Sequence, residues 1–424
     1  MSKKYLRLVI IFILLFIESF LFAELQVQLD VAEVAEVQIQ RGAARVARVN
    51  SNASSDMIVH EWGSIHHIQG SGEYELLGLS EDQSDLPPFV YVLSEKPVRP
   101  VPMIMEKPIL YFYTKKAMSI NVNVSCPSGL LTQWWPNVSS YSPSQFNNKK
   151  LKDLKNGSLN WRRVYVDPNL KPKYQKGPKG SWWDKVRDVD ATPLNIRGES
   201  EKFLFYRGVA KVNPSVKISF TDNGLAIENA GDKDVGKLFL SYIKKGQGVH
   251  TQIDKIEKKS TFKTNTKDNS FTELKKSSDE MQKALQKYLE SLGLYAKEAN
   301  GMSTIWQKSY FETEGVHLIF ALDKKEIDSL LPLNIHPKPK ETVRVLLVHL
   351  EALLQDSEKD ILALVEKLGS SNFRERRKIS KELKAMSKSI VPVLNKAMTK
   401  YGNDPEIKIT LKEIIKSFSF TKPE

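Results

Sequence analysis

The spacing of the apolar residues changes near residue 272, and this change limits the possible folds. Before it, the chain consists of short β-branched and aromatic runs such as ILYFYT (109–114) and KFLFYRGVA (202–210). Runs of this kind, separated by turn residues, are typical of antiparallel strands. After it, Met281, Leu285 and Leu289 recur with helical spacing. Strands and helices in separate stretches predict an α+β protein.

These patterns divide the structured part of the chain into three segments. Residues 58–272 are predicted to form a β-rich, sandwich-like domain, in which TDNG (221–224) joins the strands of a hairpin. Residues 273–352 are predicted to be a mixed α/β extension of the same unit. Within it, Ser277 and Glu280 have the spacing of a helix-capping box, and residues 343–354 fit either a strand or a helix. Residues 353–424 contain four short amphipathic stretches, which resemble HEAT-like helical repeats.

The N-terminal residues predict export. In residues 1–23, Lys3, Lys4 and Arg7 precede an apolar run that is short for a membrane span, as in a signal peptide, although an uncleaved anchor stays open. Residues 24–57 are repetitive in Val, Ala, Glu and Gln and predict a low-complexity linker. We therefore expect a periplasmic or envelope-associated protein.

Charge and cysteine content restrict the partners and the chemistry. The formal net charge is +13, and no nucleic-acid-binding motif accompanies it, so an anionic envelope surface is favoured over nucleic acid. Cys126 is the only cysteine, which excludes an intramolecular disulfide and a metal site based on several cysteines. We expect Cys126 to be a buried structural thiol.

The stretch VHEWGSIHH (59–67) is the first candidate site. It lacks the His-Glu-x-x-His spacing of zinc proteases, because Ser64 stands four residues after His60. In a strand, His60, Trp62, Ser64 and His66 share one face, and Glu61 lies on the other. A metal or acid/base site at His60 and Glu61 therefore needs distant partners, for which His250, His317, Asp184 and Glu199 are candidates. The alternative is a structural strand with hydrogen-bonded polar groups.

Two carboxylates form the second candidate site. Glu199 and Glu201 are two residues apart, so in a strand they share a face, and Arg207 falls on the same face. Paired carboxylates can act as general acid and base when their pKa values differ. A salt-bridge cluster is the structural alternative, and it is the commoner outcome for two glutamates with an arginine.

Tryptophans in predicted loops are the third candidate. The pairs Trp134–Trp135 and Trp182–Trp183 lie in QWWP and SWWD, and Trp62 lies in the histidine-rich stretch. Exposed loop aromatics stack on sugar rings, and Arg207 would add a charged contact to such a ligand. Packing of these rings into a small satellite core is the alternative.

Several stretches together resemble a family of uncharacterised exported bacterial proteins. They include VHEWGS (59–64), MEKPILYFYT (105–114) and ESEKFLFYRGV (199–209), within a similarity over roughly residues 58–351. The resemblance implies one evolutionary unit with the helical tail appended, and it implies no catalytic residues.

Two functions follow as hypotheses. The first is a non-catalytic binding or scaffold protein that engages a glycan or protein partner through the loop aromatics and the helical tail. The second is a metal-assisted or carboxylate-based hydrolase that uses His60, Glu61, Glu199 and Glu201. No local catalytic spacing favours the second, so the first is preferred, and the cofactor stays unknown.

Overall fold

A computed structural model describes residues 55–69, 76–77, 86–94, 103–144, 154–178, 180–265, 272–354, 357–384, 386, 390–401 and 403–418. The predicted signal segment and all but the last three residues of the predicted linker, 55–57, lie outside these ranges. No helix among the described residues is long and apolar enough to cross a membrane.

The described residues form twenty strands. They are β1 (Ser55–Gln69), β2 (Leu76–Leu77), β3 (Tyr91–Val92), β4 (Met103–Tyr113), β5 (Met118–Cys126), β6 (Gly129–Trp135), β7 (Ser140–Ser142), β8 (Gly157–Val166), β9 (Leu194–Ile196), β10 (Glu199–Glu201), β11 (Phe203–Ala210), β12 (Val216–Thr221), β13 (Gly224–Asn229), β14 (Leu238–Lys244), β15 (Gln247–Ile253), β16 (Ser260–Asn265), β17 (Thr272–Glu273), β18 (Gly315–Ala321), β19 (Leu333–His336) and β20 (Pro339–Ala352).

Eight helices occur in the same ranges. They are α1 (Trp182–Arg187), α2 (Leu274–Ser291), α3 (Ala296–Phe311), α4 (Lys324–Leu330), α5 (Ser357–Lys367), α6 (Phe373–Lys384), α7 (Val391–Lys400) and α8 (Pro405–Phe418). This combination of sheets and helices confirms the predicted α+β class.

The strands form three sheets. The largest has eleven strands in the order β17-β15-β14-β18-β20-β1-β4-β11-β6-β3, with β2 beside β1. The second has six, β10-β9-β8-β5-β19 with β7 beside β8, and the third is β12-β13-β16. In the large sheet, β1 is parallel to β20 and antiparallel to β4. This pairing places the histidine-rich stretch at the centre of the molecule's largest sheet.

The large sheet is covered on both faces. On one face, Val59 and Leu110 pack with Val122 and Trp161 of the second sheet, as in a sandwich. The third sheet packs on the same face, against β14, β18 and β20. On the other face, Trp62 and neighbouring aromatic residues pack against α1, α2 and α3. Alternate residues of β1 therefore enter different cores.

The tail helices α5 to α8 share a further apolar cluster with the large sheet. Leu383 and Leu411 of the tail belong to the same cluster as Ile68, Leu130 and Val209 of the strands. Helix α5 contacts α6 and α7, and α8 contacts α6 and α7. This arrangement is that of two stacked helical hairpins.

Several local predictions can be compared with these elements. The hairpin at TDNG is present, with Thr221 opposite Gly224. Helix α2 buries Met281, Leu285 and Leu289, but it begins at Leu274. The Ser277 hydroxyl therefore lies inside the first turns and donates to the carbonyls of Glu273 and Leu274, so the predicted capping box is wrong. Residues 343–352 belong to strand β20 and not to a helix.

Candidate functional site

His60 joins strand β1 to helix α3. Its Nδ1 lies 2.7 Å from Oε2 of Glu298, and both side chains are buried. The same Glu298 oxygen accepts a hydrogen bond of 2.8 Å from the backbone N–H of Tyr295, which precedes the helix. The His60 ring also packs against the rings of Tyr113 and Tyr295. His60 therefore fixes the start of α3 on the sheet.

Glu61 lies on the opposite face of β1 and belongs to a different network. Its carboxylate accepts hydrogen bonds from Tyr206 Oη at 2.7 Å and from Arg344 Nε at 2.6 Å. Arg344 also donates to Asp328 at 2.8 Å and to the carbonyl of Leu331. The geometry does not support a shared metal or acid/base site at His60 and Glu61, because the sheet separates their side chains.

Glu199 and Glu201 also have structural partners. Glu199 accepts from the hydroxyl of Tyr91 and from the backbone N–H of Asn137. Glu201 is fully buried, and it pairs with Arg187 at 2.6 Å rather than with the predicted Arg207. It also accepts from the indole N–H groups of Trp135 and Trp183. Neither carboxylate joins His60 or Glu61 in these networks, so the predicted four-residue catalytic group is not assembled.

The tryptophans proposed as ligand-stacking groups lie mostly in the core. Trp62, Trp134, Trp135 and Trp183 are at most 3% exposed. Arg207 is equally buried, at 3%. Trp182 is the partly exposed member, and the ammonium of Lys107 lies 5.3 Å from its ring centre. Because a buried ring cannot stack on a sugar, packing explains four of these five tryptophans.

A cluster that sequence reasoning missed lies six residues farther along the His60 face of β1. His66 pairs in register with His349 on the parallel strand β20, and Glu351 follows two residues later on the same face. Suitable ligand atoms of His66, His349 and Glu351 all lie within 4.8 Å of one another. We call these three residues the His-His-Glu cluster. Among the described residues it is the one group of three or more His, Cys, Asp or Glu side chains with ligand atoms this close.

The cluster is accessible at one side. His66 Nε2 lies 3.2 Å from Oε2 of Glu351, and its Nδ1 lies 4.0 Å from Oε1 of Glu106 on β4. The side chain of His66 is 17% exposed and that of Glu106 is 30% exposed, whereas Glu351 is 6% exposed. The rings of His66 and His349 are stacked, with centres 4.6 Å apart. Solvent therefore reaches the His66 and Glu106 side of an otherwise buried group.

A hydrogen-bonded chain determines which nitrogen of His349 is protonated. His317 Nε2 lies 2.9 Å from the carbonyl oxygen of Thr313, which can only accept, so this nitrogen donates. In neutral His317, Nδ1 is then the acceptor, and His349 Nε2, 3.0 Å away, must donate to it. This assignment from the hydrogen-bond pattern leaves His349 Nδ1 with a free electron pair.

The electrostatics agree with that assignment. Burial lowers the pKa of His317, and burial together with the neighbouring histidines lowers the pKa of His349 well below its usual value. Both rings are therefore neutral at pH 7. Burial also acts to lower the pKa of His66, but the hydrogen bond and charge of Glu351, with the charge of Glu106, outweigh it and raise the pKa.

Helix α3 covers the cluster. The Tyr310 ring packs on His349 with centres 4.7 Å apart, and its hydroxyl lies 2.6 Å from the Ser64 hydroxyl. The indole N–H of Trp306 donates to Glu106 at 3.2 Å. The hydrogen bond from Trp306 orients the carboxylate of Glu106 beside His66. Two imidazoles and a carboxylate with one accessible side can hold a divalent transition-metal ion.

Comparisons with known proteins leave the family open. No protein-family model and no curated protein matches the sequence. The similar solved structures include the mu-homology domain of Fcho1 from Danio rerio with bound Eps15 peptide, which has a TM-score of 0.29 at 7% identity, covering 72% of this chain and 99% of that chain. The yeast delta-COP-I mu-homology domain has a TM-score of 0.25 at 7% identity, covering 72% of this chain and 98% of that chain. The same yeast domain in complex with the Dsl1 WxWxV peptide has a TM-score of 0.23 at 8% identity, covering 71% of this chain and 97% of that chain. At these TM-scores the likeness carries no argument about function.

Proposed function

We propose that this protein is a metal-dependent hydrolase whose metal ligands are His66, His349 and Glu351. The proposal depends mainly on one observation. The ligand atoms of these three residues lie within 4.8 Å of one another, although their two strands are almost 300 residues apart in sequence. Compared with the sequence hypothesis, the reaction class is the same, but the site moves from His60 and Glu61 to His66, six residues farther along the His60 face of β1, and to its neighbours on β20.

The types of ligand support a catalytic role. Two histidines and one glutamate form a ligand set of catalytic zinc sites, where a water molecule takes the fourth position. A bound metal lowers the pKa of that water, so that hydroxide is available near neutral pH. Glu106 is the carboxylate beside the accessible side of the cluster, and we assign it the role of general base for the water.

Metal binding would rearrange two contacts in the cluster. Imidazole electron pairs lie in the plane of the ring, so one ion cannot bind both His66 and His349 while their rings stay parallel. We expect His66 to be the ring that turns, because it is the partly exposed one of the two. A bound metal would also take the place of the proton that His66 Nε2 donates to Glu351. The His349 ring stays in place, because His317 and Tyr310 hold it.

The test of the metal site is elemental analysis of the full chain, purified without a metal-binding tag and equilibrated with zinc. We expect about one metal ion per chain in the wild type and loss of that ion in His349→Ala. The control is His250→Ala, because His250 lies on β15, three strands from β20 and four from β1, and hydrogen-bonds to the carbonyl of Phe311. A folded wild-type protein without metal, or equal loss in both variants, would contradict the proposal.

The hydrolase role needs a separate variant. Glu106→Gln keeps an acceptor for the Trp306 indole but cannot act as a base. In a screen of ester, phosphoester and peptide substrates, we expect metal-loaded wild type to be active. We expect Glu106→Gln to retain its metal and to lose activity by about 100-fold or more. Metal retention with unchanged turnover would remove Glu106 from the mechanism.

A non-catalytic binding role is the second proposal, and it is supported by the tail. The stacked hairpins of α5 to α8 are of a type that presents surfaces to other molecules. Burial of four of the five tryptophans weakens the glycan form of this proposal and favours a partner that contacts the tail. A protein that binds no metal and hydrolyses no substrate in the screen, but is retained by such a partner, would support this role instead.

A further inference from the structure

Helix α6 carries a continuous cationic surface. Its five outward-facing cations are Arg374, Arg377, Lys378, Lys381 and Lys384, all exposed. At 100° per residue, they occupy an arc of about 120° on the helix. Ile379 and Leu383 lie on the opposite side and are buried in the tail cluster. The helix is therefore anchored by one side, and its cations face away from the protein.

The charges of this arc are not neutralised by any residue that the structure describes. Within the described residues, none of the five cations forms an ion pair with a carboxylate. The two acidic residues of the helix, Glu375 and Glu382, fall outside the arc. On helices α2 and α4, by contrast, Lys275 and Lys324 each pair with an aspartate one turn away. On a helix face that only contacts solvent, cations are stabilised by carboxylates one turn away. The five cations of this arc have no such carboxylates, so the arc indicates an anionic binding partner.

An exposed aromatic residue lies at the end of the arc. Phe373 begins α6 and is 66% exposed, the largest value among the exposed large apolar residues. The guanidinium of Arg376 lies 5.7 Å from its ring centre and also pairs with Glu406 of α8 at 2.7 Å. The ring is thus held next to the cations, on the outer surface of the tail. Aromatic rings beside cations are typical of segments that lie at a membrane interface.

We propose that the α6 arc docks the protein on an anionic lipid bilayer, with Phe373 inserted at the level of the headgroups. A convex helix face with flexible lysines fits a laterally mobile layer of phosphates better than a shaped protein pocket. The formal net charge of +13 adds long-range attraction to the same surface. The proposal is independent of the metal centre, which lies under α3.

The test is sedimentation of the full chain with phosphatidylcholine vesicles that contain or lack phosphatidylglycerol. Arg377→Gln/Lys381→Gln removes two cations of the arc. Each cation near an anionic surface contributes about a fivefold factor, so we expect the partition coefficient to fall about 30-fold. The control is Lys171→Gln/Lys173→Gln, which removes two exposed lysines of a loop. All proteins keep the N-terminal apolar segment, so the difference between the α6 variant and the control reports on the arc.

Three outcomes decide the proposal. Loss of phosphatidylglycerol-dependent binding in the α6 variant, with the control unchanged, supports it. High salt screens the attraction of the cations to the lipid, so the binding that remains is due to apolar insertion. Phe373→Ala should then reduce this remaining binding. Equal vesicle binding by wild type, α6 variant and control would overturn the proposal. It would also be overturned if the α6 substitutions abolished binding to polyglutamate and left vesicle binding intact, since the arc would then recognise an acidic protein.

Discussion

At the scale of single residues, His317 determines how His349 can act. Its Nδ1 accepts from His349 Nε2, so His349 offers Nδ1 to a metal. In His317→Leu no acceptor remains, and His349 loses both its fixed protonation state and its fixed orientation. We expect the zinc affinity to fall by about 10- to 100-fold, with partial recovery in His317→Gln, whose amide oxygen can accept. Competition with a metal-binding dye at constant pH measures this, and equal affinities would exclude the positioning role.

The Glu61–Arg344 pair is a second prediction at this scale. Both groups are buried, so Glu61→Ala leaves the charge of Arg344 without its main partner. We expect a loss of about 3–5 kcal/mol in the free energy of unfolding, measured by urea denaturation. The double variant Glu61→Leu/Arg344→Met removes both charges and should recover most of that loss. If Glu61 were catalytic instead, Glu61→Ala would lose activity at nearly unchanged stability.

The single thiol provides a third prediction. Cys126 is fully buried at the end of β5, and burial raises its pKa to about 12. The reactive thiolate is therefore scarce at pH 8, and the side chain is also inaccessible. We expect a thiol reagent to label the native protein hardly at all and the urea-unfolded protein completely. Rapid labelling of the native protein would contradict the structural role assigned to Cys126.

At the scale of elements, strand β1 shows what local sequence can and cannot reveal. The alternation of VHEWGSIHH correctly assigns His60, Trp62, Ser64 and His66 to one face, which is the face under α3. The register of β1 against β20 depends on a pairing over almost 300 residues, and nothing in either strand alone specifies it. The His-His-Glu cluster results from that register. Its residues were visible in the sequence, but their convergence was not.

Gly63 gives a prediction about the same strand. The pairing of β1 with β4 is irregular between Trp62 and Ser64, where the backbone of Gly63 lies against Pro108. A Cβ atom at residue 63 would lie 2.8 Å from the Cα of Pro108, which is backbone and cannot turn aside. We expect Gly63→Ala to destabilise the protein by about 1–3 kcal/mol, as measured by urea denaturation. Unchanged stability would mean that β1 and β4 can move apart at this position without loss of stability.

Gly293→Ala is not a suitable control for this experiment. Gly293 has a φ of 100°, at which any side chain is strained.

Helix positions were easier to predict than the ends and contacts of helices. The spacing of Met281, Leu285 and Leu289 is a local property, and these residues are buried in α2 as expected. The start of α2 depends on tertiary contacts, and the helix begins at Leu274, three residues before the predicted cap at Ser277. The partner of Glu201 could not be predicted for the same reason. Arg187 lies on another element, and the sequence alone suggested Arg207.

At the scale of the whole molecule, the large sheet connects the functional surfaces. Its helix-covered face holds the proposed metal centre, and its other face packs on the second and third sheets. One end of the sheet supports the tail through Ile68, Leu130 and Val209. The tail helices and the sheet contribute buried residues to one apolar cluster, so we expect the tail to depend on this support. A docking surface on α6 is thereby held at a fixed position relative to the sheet.

The dependence of the tail on the sheet leads to a prediction for the unfolding of the whole protein. All seven tryptophans precede residue 307, so tryptophan fluorescence reports on the sheets and α1 to α3 and not on the tail. Leu411 is fully buried in the tail cluster. If tail and sheet unfold together, Leu411→Ala lowers the urea midpoint seen by fluorescence as much as the midpoint seen by circular dichroism at 222 nm. The expected loss is about 2–5 kcal/mol.

The matching variant lies on the other side of the same cluster. Leu130 belongs to β6 and is also fully buried. Leu130→Ala should shift both signals together in the same way, because the cavity weakens one shared core. A tail that folds independently would behave differently. Leu411→Ala would then shift only the circular dichroism signal, and the fluorescence midpoint would stay at the wild-type value. That separation would show that the α6 surface can move relative to the sheet.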